Sequence, residues 1–177
     1  MVGAPVPDLA IIPLHDDLDR AVFNCGVESL DRYFREQAGQ DVRRRASGAF
    51  VLIERARPLR PLGYYTLSAT ALSQGEAPEA ARKHIPRYPL VSATLIGRLA
   101  VASDRQGKRL GSILLADALR RALASAGTVG SSMIVVEALS DRAADFYVAH
   151  GFIRLPESAK LILPMRMVQR LVPSASI

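Results

Sequence analysis

The sequence predicts an α/β domain around a mixed sheet. Three observations lead there. Short apolar runs such as AFVLIE (49–54) and SSMIVVE (131–137) alternate along the chain with segments of helical period. The apolar, β-branched run at 95–101 passes through a polar turn, 102–108, straight into a helix. In that helix Leu110, Ile113, Leu114, Leu115, Leu119, Ala122 and Leu123 recur at helical spacing, and Gly127 closes it as a C′ residue. At 177 residues the chain is one domain's worth, 1–177, with no internal repeat, linker or low-complexity segment.

Taken in order, residues 9–14 read as a first strand ended by Pro13. Residues 27–45 read as a helix with Leu30, Tyr33, Phe34 and Ala38 on one face, and Gly48 breaks it. Residues 49–54 and 62–71 form an antiparallel hairpin whose turn is marked by Pro58 and Pro61. A short helix follows at 77–83, then a basic, proline-punctuated segment and the central strand at 95–101. Residues 131–137 form the fifth strand. Ser140 or Asp141 caps a helix to His150. Phe152 and Ile153 start the sixth strand, Pro156 marks a turn, and 161–168 reads as the last strand.

Hydrophobic residues make up 49% and charged residues 23%, which describes a folded, soluble chain rather than a disordered one. No apolar run approaches the roughly 18 residues that span a bilayer, and the N-terminus lacks the basic region of a signal peptide. The single Cys25 allows no internal disulfide, which suits a cytoplasmic location. Among apolar neighbours it reads as a core residue, not a nucleophile. The formal charge of +6 fits a polyanionic partner, though a basic surface has the same composition. His15, His84 and His150 have no zinc-type spacing, so no metal site is expected.

The turn Gln106-Gly107-Lys108-Arg109-Leu110-Gly111-Ser112 joins strand to helix. Such a junction points backbone N–H groups outward at the positive end of a helix dipole and suits a phosphate or pyrophosphate. An ordinary strand-to-helix turn has the same pattern. There is no Gly-Lys-Ser/Thr P-loop and no complete Gly-x-Gly-x-x-Gly dinucleotide fingerprint. Three sets of basic residues stand out: Arg43, Arg44 and Arg45 at the first helix's end; Arg82, Lys83 and Arg87 beside Tyr88; and Arg98 on the central strand. A solvated helix cap, a connecting loop and a buried ion-pair partner are their plainer readings.

Two motifs in order carry a resemblance. Gln106 to Gly111 is similar to the Gln/Arg-x-x-Gly-x-Gly/Ala loop of the GNAT superfamily of N-acetyltransferases, with Arg109 in place of the first glycine. Phe146-Tyr147-Val148-Ala149-His150-Gly151-Phe152 matches that family's Phe-Tyr-x-x-x-Gly-Phe in full. The resemblance implies the GNAT fold: a mixed, mostly antiparallel central sheet with splayed strands four and five, flanked by helices. It implies acetyl-CoA as cosubstrate, with pantetheine inserted between those strands along Leu99, Ala100 and Val101, and the pyrophosphate held by residues 106–112. Ser140 and Phe146 join the coenzyme site, and Tyr147 is the acid that protonates the departing thiolate. A packed helix aromatic is the plainer reading of Tyr147, and His150 is an alternative base.

Over residues 8–172 the chain also resembles the acetyltransferase toxins of the TacT and AtaT group, on Phe23 to Tyr33, Pro89 to Val101 and Ala138 to Asp141. That implies a type II toxin that acetylates the amino group of aminoacyl-tRNA and blocks translation. A homodimer and a small DNA-binding antitoxin of ribbon-helix-helix type are implied as well. The basic residues named above become its tRNA contacts. No carboxylate stands out as a base. An α-amino group titrates near ~7.7–8.0 and needs less help than a lysine near ~10.4. A housekeeping N-acetyltransferase for a small amine or protein amine is the alternative.

Overall fold

The computed structural model describes residues 6–172. The expected domain 1–177 therefore includes residues 1–5 and 173–177, which lie outside the described residues.

The strands are β1 (Leu9–Pro13), β2 (Gly48–Glu54), β3 (Gly63–Ser73), β4 (Leu90–Val101), β5 (Met133–Glu137), β6 (Ile153–Arg154) and β7 (Lys160–Pro164). They form one seven-stranded sheet in the order β1-β2-β3-β4-β5-β7-β6. β1 runs antiparallel to β2 from Leu9↔Glu54 to Pro13↔Phe50. β5 and β6 are each antiparallel to β7. Only β4 and β5 are parallel among the registers resolved here, and their ladder spans Ala93↔Met133 to Ile96↔Val136. β4 then runs on to Val101 beyond that ladder. This is the splayed, mixed sheet that the sequence resemblance implied.

The chain forms two compact units. The first comprises the described residues up to Thr66 together with Arg98–Leu115. Its helical run starts as α1 (Glu28–Arg32), passes through a π-helical turn at Tyr33–Gln37 and ends as α2 (Ala38–Arg43). Phe23, Phe34 and Tyr64 form its aromatic core: Phe34 stacks on Tyr64 at 4.3 Å and Phe23 packs edge-on to Phe34 at 4.9 Å. The Tyr64 hydroxyl donates to the Leu30 carbonyl at 2.8 Å, which satisfies the polar end of a buried ring. Ala100 and Ala102 join this core, so by strand alternation Arg98 shares their face. On the other face, α4 (Leu110–Ala126) sits so close that a Cβ on Gly63 would lie 2.8 Å from the Leu114 Cδ1 and from the Ala100 carbonyl. Only glycine fits there.

The second unit comprises Leu67–Gly97 and the described residues from Ala116 onward. Its core gathers Leu72, Ala77, Ala81 and Ile85, around α3 (Glu79–Arg82), with Val91, Met133, Val135 and Ile162 of the strands. α5 (Asp141–Ala149) starts at Ser140, whose side chain accepts from the Ala143 N–H at 3.1 Å. α6 (Met165–Leu171) is the last element among the described residues. No described helix is long and apolar enough to cross a membrane.

Four expectations change. Residues 161–168 are not one strand. β7 stops at Pro164, which has no N–H for a ladder, and Met165 and Val168 are buried at helical spacing in α6. The first helix contains the π turn that no periodicity announced. β4 begins at Leu90, well before residue 95, because Val91 and Ala93 are buried while the exposed Ser92 alternates with them. Gly127 follows α4 without the left-handed φ of a C′ cap. The Thr128 and Val129 N–H groups instead turn back to the Ser125 carbonyl.

Candidate functional site

In the first unit the candidate pyrophosphate loop is a cationic turn. Gly107 has φ +76°, with nothing within 4 Å of an added Cβ, and Arg109 has φ 60°. The first intrahelical bond of α4 is Ile113 N–H to the Arg109 carbonyl at 3.3 Å. The amides of Leu110 and Gly111 therefore have to be satisfied from outside the helix. The first turn of α4 carries no acidic residue, and Lys108 and Arg109 are exposed beside it. These are the donors that a pyrophosphate takes, and the open side of Gly107 gives it room. Gly111 is not left-handed.

Gln106 turns inward. Its Nε2 donates to the Cys25 carbonyl at 2.9 Å and to the Val101 carbonyl at 3.1 Å. The Ser103 N–H bonds the Asn24 carbonyl at 2.8 Å, and Arg60 pairs with Asp104. The loop is thus tied to the end of β4 and to the segment before α1, which holds Leu99, Ala100 and Val101 in place. The Cys25 N–H donates to the buried Asp31 carboxylate at 2.8 Å. Burial pushes the Cys25 thiol up to about 11, so it stays protonated at neutral pH and is a poor nucleophile.

Arg98 lies with its guanidinium carbon 3.4 Å above the centre of the Tyr33 ring. Among the described residues no carboxylate lies within ion-pair distance of it. Tyr33 is fixed from below: its hydroxyl donates to the Asp41 carboxylate at 2.8 Å and lies 3.3 Å from the Ser47 Oγ. Hydrogen bonds from Gln37 and from Tyr33 hold the Asp41 carboxyl below its ordinary range, while burial raises the Tyr33 phenol. Arg98 is therefore a cation on a rigid aromatic platform and not a buried ion pair. Tyr33 and Asp41 had no sequence signal for this role, because the π turn between them breaks the helical spacing.

At the end of α2, Arg43 pairs with Asp16 at 3.7 Å, both exposed. Arg45 has φ 56°. Its N–H bonds the Val42 carbonyl at 3.1 Å, and the Ala46 N–H bonds the Asp41 carbonyl at 2.8 Å. That is a Schellman cap with arginine where glycine is usual.

In the second unit α5 ends in the same motif and explains its own sequence. The Gly151 N–H bonds the Val148 carbonyl at 3.0 Å, and the Phe152 N–H bonds the Tyr147 carbonyl at 3.1 Å. Gly151 has φ +95°. In a Schellman motif the residue after the left-handed one packs on the residue five before it, and the Phe152 and Tyr147 rings meet edge-on at 5.3 Å. Phe146 packs on Tyr147 at 5.2 Å and on His150 at 4.5 Å. The His150 Nδ1 lies 2.7 Å from the Phe146 carbonyl. Phe-Tyr-x-x-x-Gly-Phe is thus a helix end that clamps one tyrosine ring. Tyr147 is 7% exposed, and burial pushes its phenol up to about 12. Its hydroxyl bonds no described residue, yet no described buried side-chain oxygen lacks a partner. The oxygen is the tip of a buried ring that still reaches open space. Ser140, the cap of this helix, has its side chain engaged with Ala143.

Arg82, Lys83 and Arg87 line one groove of about 880 Å³ with Gln74 and Glu79. Among the described residues no cluster of three or more His, Cys, Asp or Glu is placed to hold a metal.

The acetyltransferase (GNAT) domain family matches residues 60–154, a span that holds both motifs. A tRNA-acetylating toxin of Mycobacterium tuberculosis is 34% identical over 160 residues, 90% of this chain and 93% of that protein. Among solved structures, AtaT complexed with acetyl-methionyl-tRNAfMet superposes with a TM-score of 0.84 at 30% identity, over 93% of this chain and 99% of that one. A mutant AtaT toxin bound to the C-terminus of the antitoxin AtaR and acetyl-CoA gives 0.79 at 27% identity, over 93% and 98%. The chain belongs to the GNAT family of acetyltransferases.

Proposed function

We propose that the protein transfers the acetyl group of acetyl-CoA to the α-amino group of an aminoacyl-tRNA. We further propose that it is the toxin of a toxin–antitoxin pair and blocks translation by this reaction. Acetyl-CoA supplies a thioester whose carbonyl accepts the amine. In this reading the amides of the 106–112 turn, with Lys108 and Arg109, bind its pyrophosphate. The backbone of Leu99, Ala100 and Val101 pairs with pantetheine and offers N–H groups to the carbonyl oxygen as charge develops there.

The observation that carries the chemistry is the Tyr147 hydroxyl, held protonated by burial and bonded to no described residue. It donates to the leaving sulfur. The proton released by the attacking nitrogen restores the phenol, so the tyrosinate that burial disfavours needs no lifetime. Because an α-amine is substantially neutral near pH 8, the residues at the site need not include a strong base.

The likeness to a tRNA-acetylating toxin over nine-tenths of the chain supports the acceptor. The chain works as one domain, in a homodimer that widens the basic surface, in the cytoplasm. A small antitoxin of ribbon-helix-helix type restrains it. Arg43, Arg44, Arg45, Arg82, Lys83, Arg87 and Arg98 contact the tRNA, with Arg98 on the reacting strand itself. The test is mass spectrometry of total aminoacyl-tRNA after incubation with the protein and acetyl-CoA. N-acetylated aminoacyl ends are expected. Acetylated free amines with untouched tRNA would overturn the reading in favour of a small-amine enzyme.

A further inference from the structure

Two depressions of the second unit share Lys83. One is the 880 Å³ groove with Arg82 and Arg87. The other, about 290 Å³, is lined by Lys83, His84, Ser132 and Arg166, with the apolar Ile85 and Met165 beneath. Glu79 is the acidic residue of the groove, and none of the residues lining the smaller pocket is acidic. Among the described residues neither Lys83 nor Arg166 has a carboxylate within ion-pair distance. Lys83, His84 and Arg166 thus meet in a pocket with no acidic lining residue, which an anion would relieve.

The walls are built rather than loose. The Gln74 N–H bonds the Pro89 carbonyl at 3.0 Å and its Nε2 bonds the Pro86 carbonyl at 3.1 Å. These two bonds pin the 83–89 loop at both sides of Arg87. The Arg82 Nε is spent on the Ala77 carbonyl at 2.9 Å, and the His84 N–H on the Ala81 carbonyl at 2.9 Å. Ile85 is buried in the core below. Arg166 stands on a helix anchored by the buried Met165 and Val168, and the Met165 N–H bonds the Ser132 carbonyl at 2.9 Å. The backbone that carries these cations, and the Arg82 side chain, are therefore held before anything binds, which lowers the ordering cost of binding. Tyr88, next in the chain to Arg87, is 69% exposed, a ring free to stack on a base.

We propose that groove and pocket form one phosphate track, joined at Lys83 and ended by His84 and Arg166, that holds the RNA backbone of the acceptor. This rests on the acceptor being a tRNA and adds Arg166, His84 and Tyr88 to its contacts. The exposed aromatic beside the cations fits a nucleic acid better than a free anion.

The test is the affinity of the full chain for deacylated tRNA between about 50 and 200 mM salt. It compares wild type with Lys83→Ala, Arg166→Ala and Arg166→Lys, and with Arg170→Ala as a control on the same helix outside both depressions. Loss of one phosphate contact lowers the slope of log affinity against log salt by about 1. Lys83→Ala and Arg166→Ala should each show that drop with acetyl-CoA affinity unchanged. Arg166→Lys should restore it, and Arg170→Ala should match wild type. Wild-type slopes in both alanine variants overturn the track, as does a wild type without salt-dependent tRNA binding. Reduced slopes in a protein that acetylates no aminoacyl-tRNA would leave the track standing and overturn the proposed function instead.

Discussion

Arg45 and Arg109 each hold a backbone conformation, φ 56° and 60°, that suits glycine. A left-handed residue with a side chain costs about 1–2 kcal/mol. At Arg109 the position is the one where the GNAT loop carries its first glycine. At Arg45 it is the C′ position of a helix cap, where glycine is also the usual choice. Both arginines therefore sit where the fold alone would favour another residue, and both project charge from positions the proposed function uses. The two demands separate in one substitution. Arg45→Gly should raise stability by about 1 kcal/mol in a denaturant titration and weaken tRNA binding at the same time. A variant with raised stability and unchanged tRNA affinity would make Arg45 a strained cap and nothing more.

The elements show why one motif was readable and another was not. Phe-Tyr-x-x-x-Gly-Phe could be recognised because its spacing is the geometry of a helix end: Tyr147, the left-handed Gly151 and Phe152 form one cap. Gly151→Ala, which places a side chain at φ +95°, should cost about 1–2 kcal/mol. It should also loosen the tyrosine ring, so kcat falls more than the KM for acetyl-CoA rises. Equal stability and kcat in that variant would show that the cap does not set the ring. The strand-turn-helix junction at 95–127 was legible for a similar reason, since apolar period and turn chemistry agree there. The platform under Arg98 was not legible. Tyr33 reads as an ordinary core aromatic, and the π turn that aims its hydroxyl at Asp41 leaves no periodic trace. α6 was misread because Leu161 to Leu163 and Met165 to Val168 look like one apolar run. Pro164 within it was the signal that the strand had ended.

Across the whole molecule, buried protonated groups couple folding to pH. The Cys25 thiol rises from 9.0 to about 11 and the Tyr147 phenol from 10.0 to about 12. Tyr64 is raised as well by burial. Above pH 9 the unfolded chain releases these protons before the folded one does, so it binds fewer protons and stability falls as pH rises. Stability from these groups is complete below pH 9 and is lost progressively toward pH 12. Melting temperatures measured from pH 7 to 11 should hold and then drop beyond pH 9, and a flat curve to pH 11 would refute these burial effects. The same burial keeps Tyr147 protonated throughout the range in which an α-amine becomes neutral, which makes its hydroxyl the centre of the account. Single-turnover acetylation of aminoacyl-tRNA by wild type and by Tyr147→Phe, with acetyl-CoA affinity measured by calorimetry on both, tests this most directly. A fall of about 10²–10⁴-fold in the rate of transfer is expected, with coenzyme affinity unchanged. Transfer by Tyr147→Phe at the wild-type rate would contradict it.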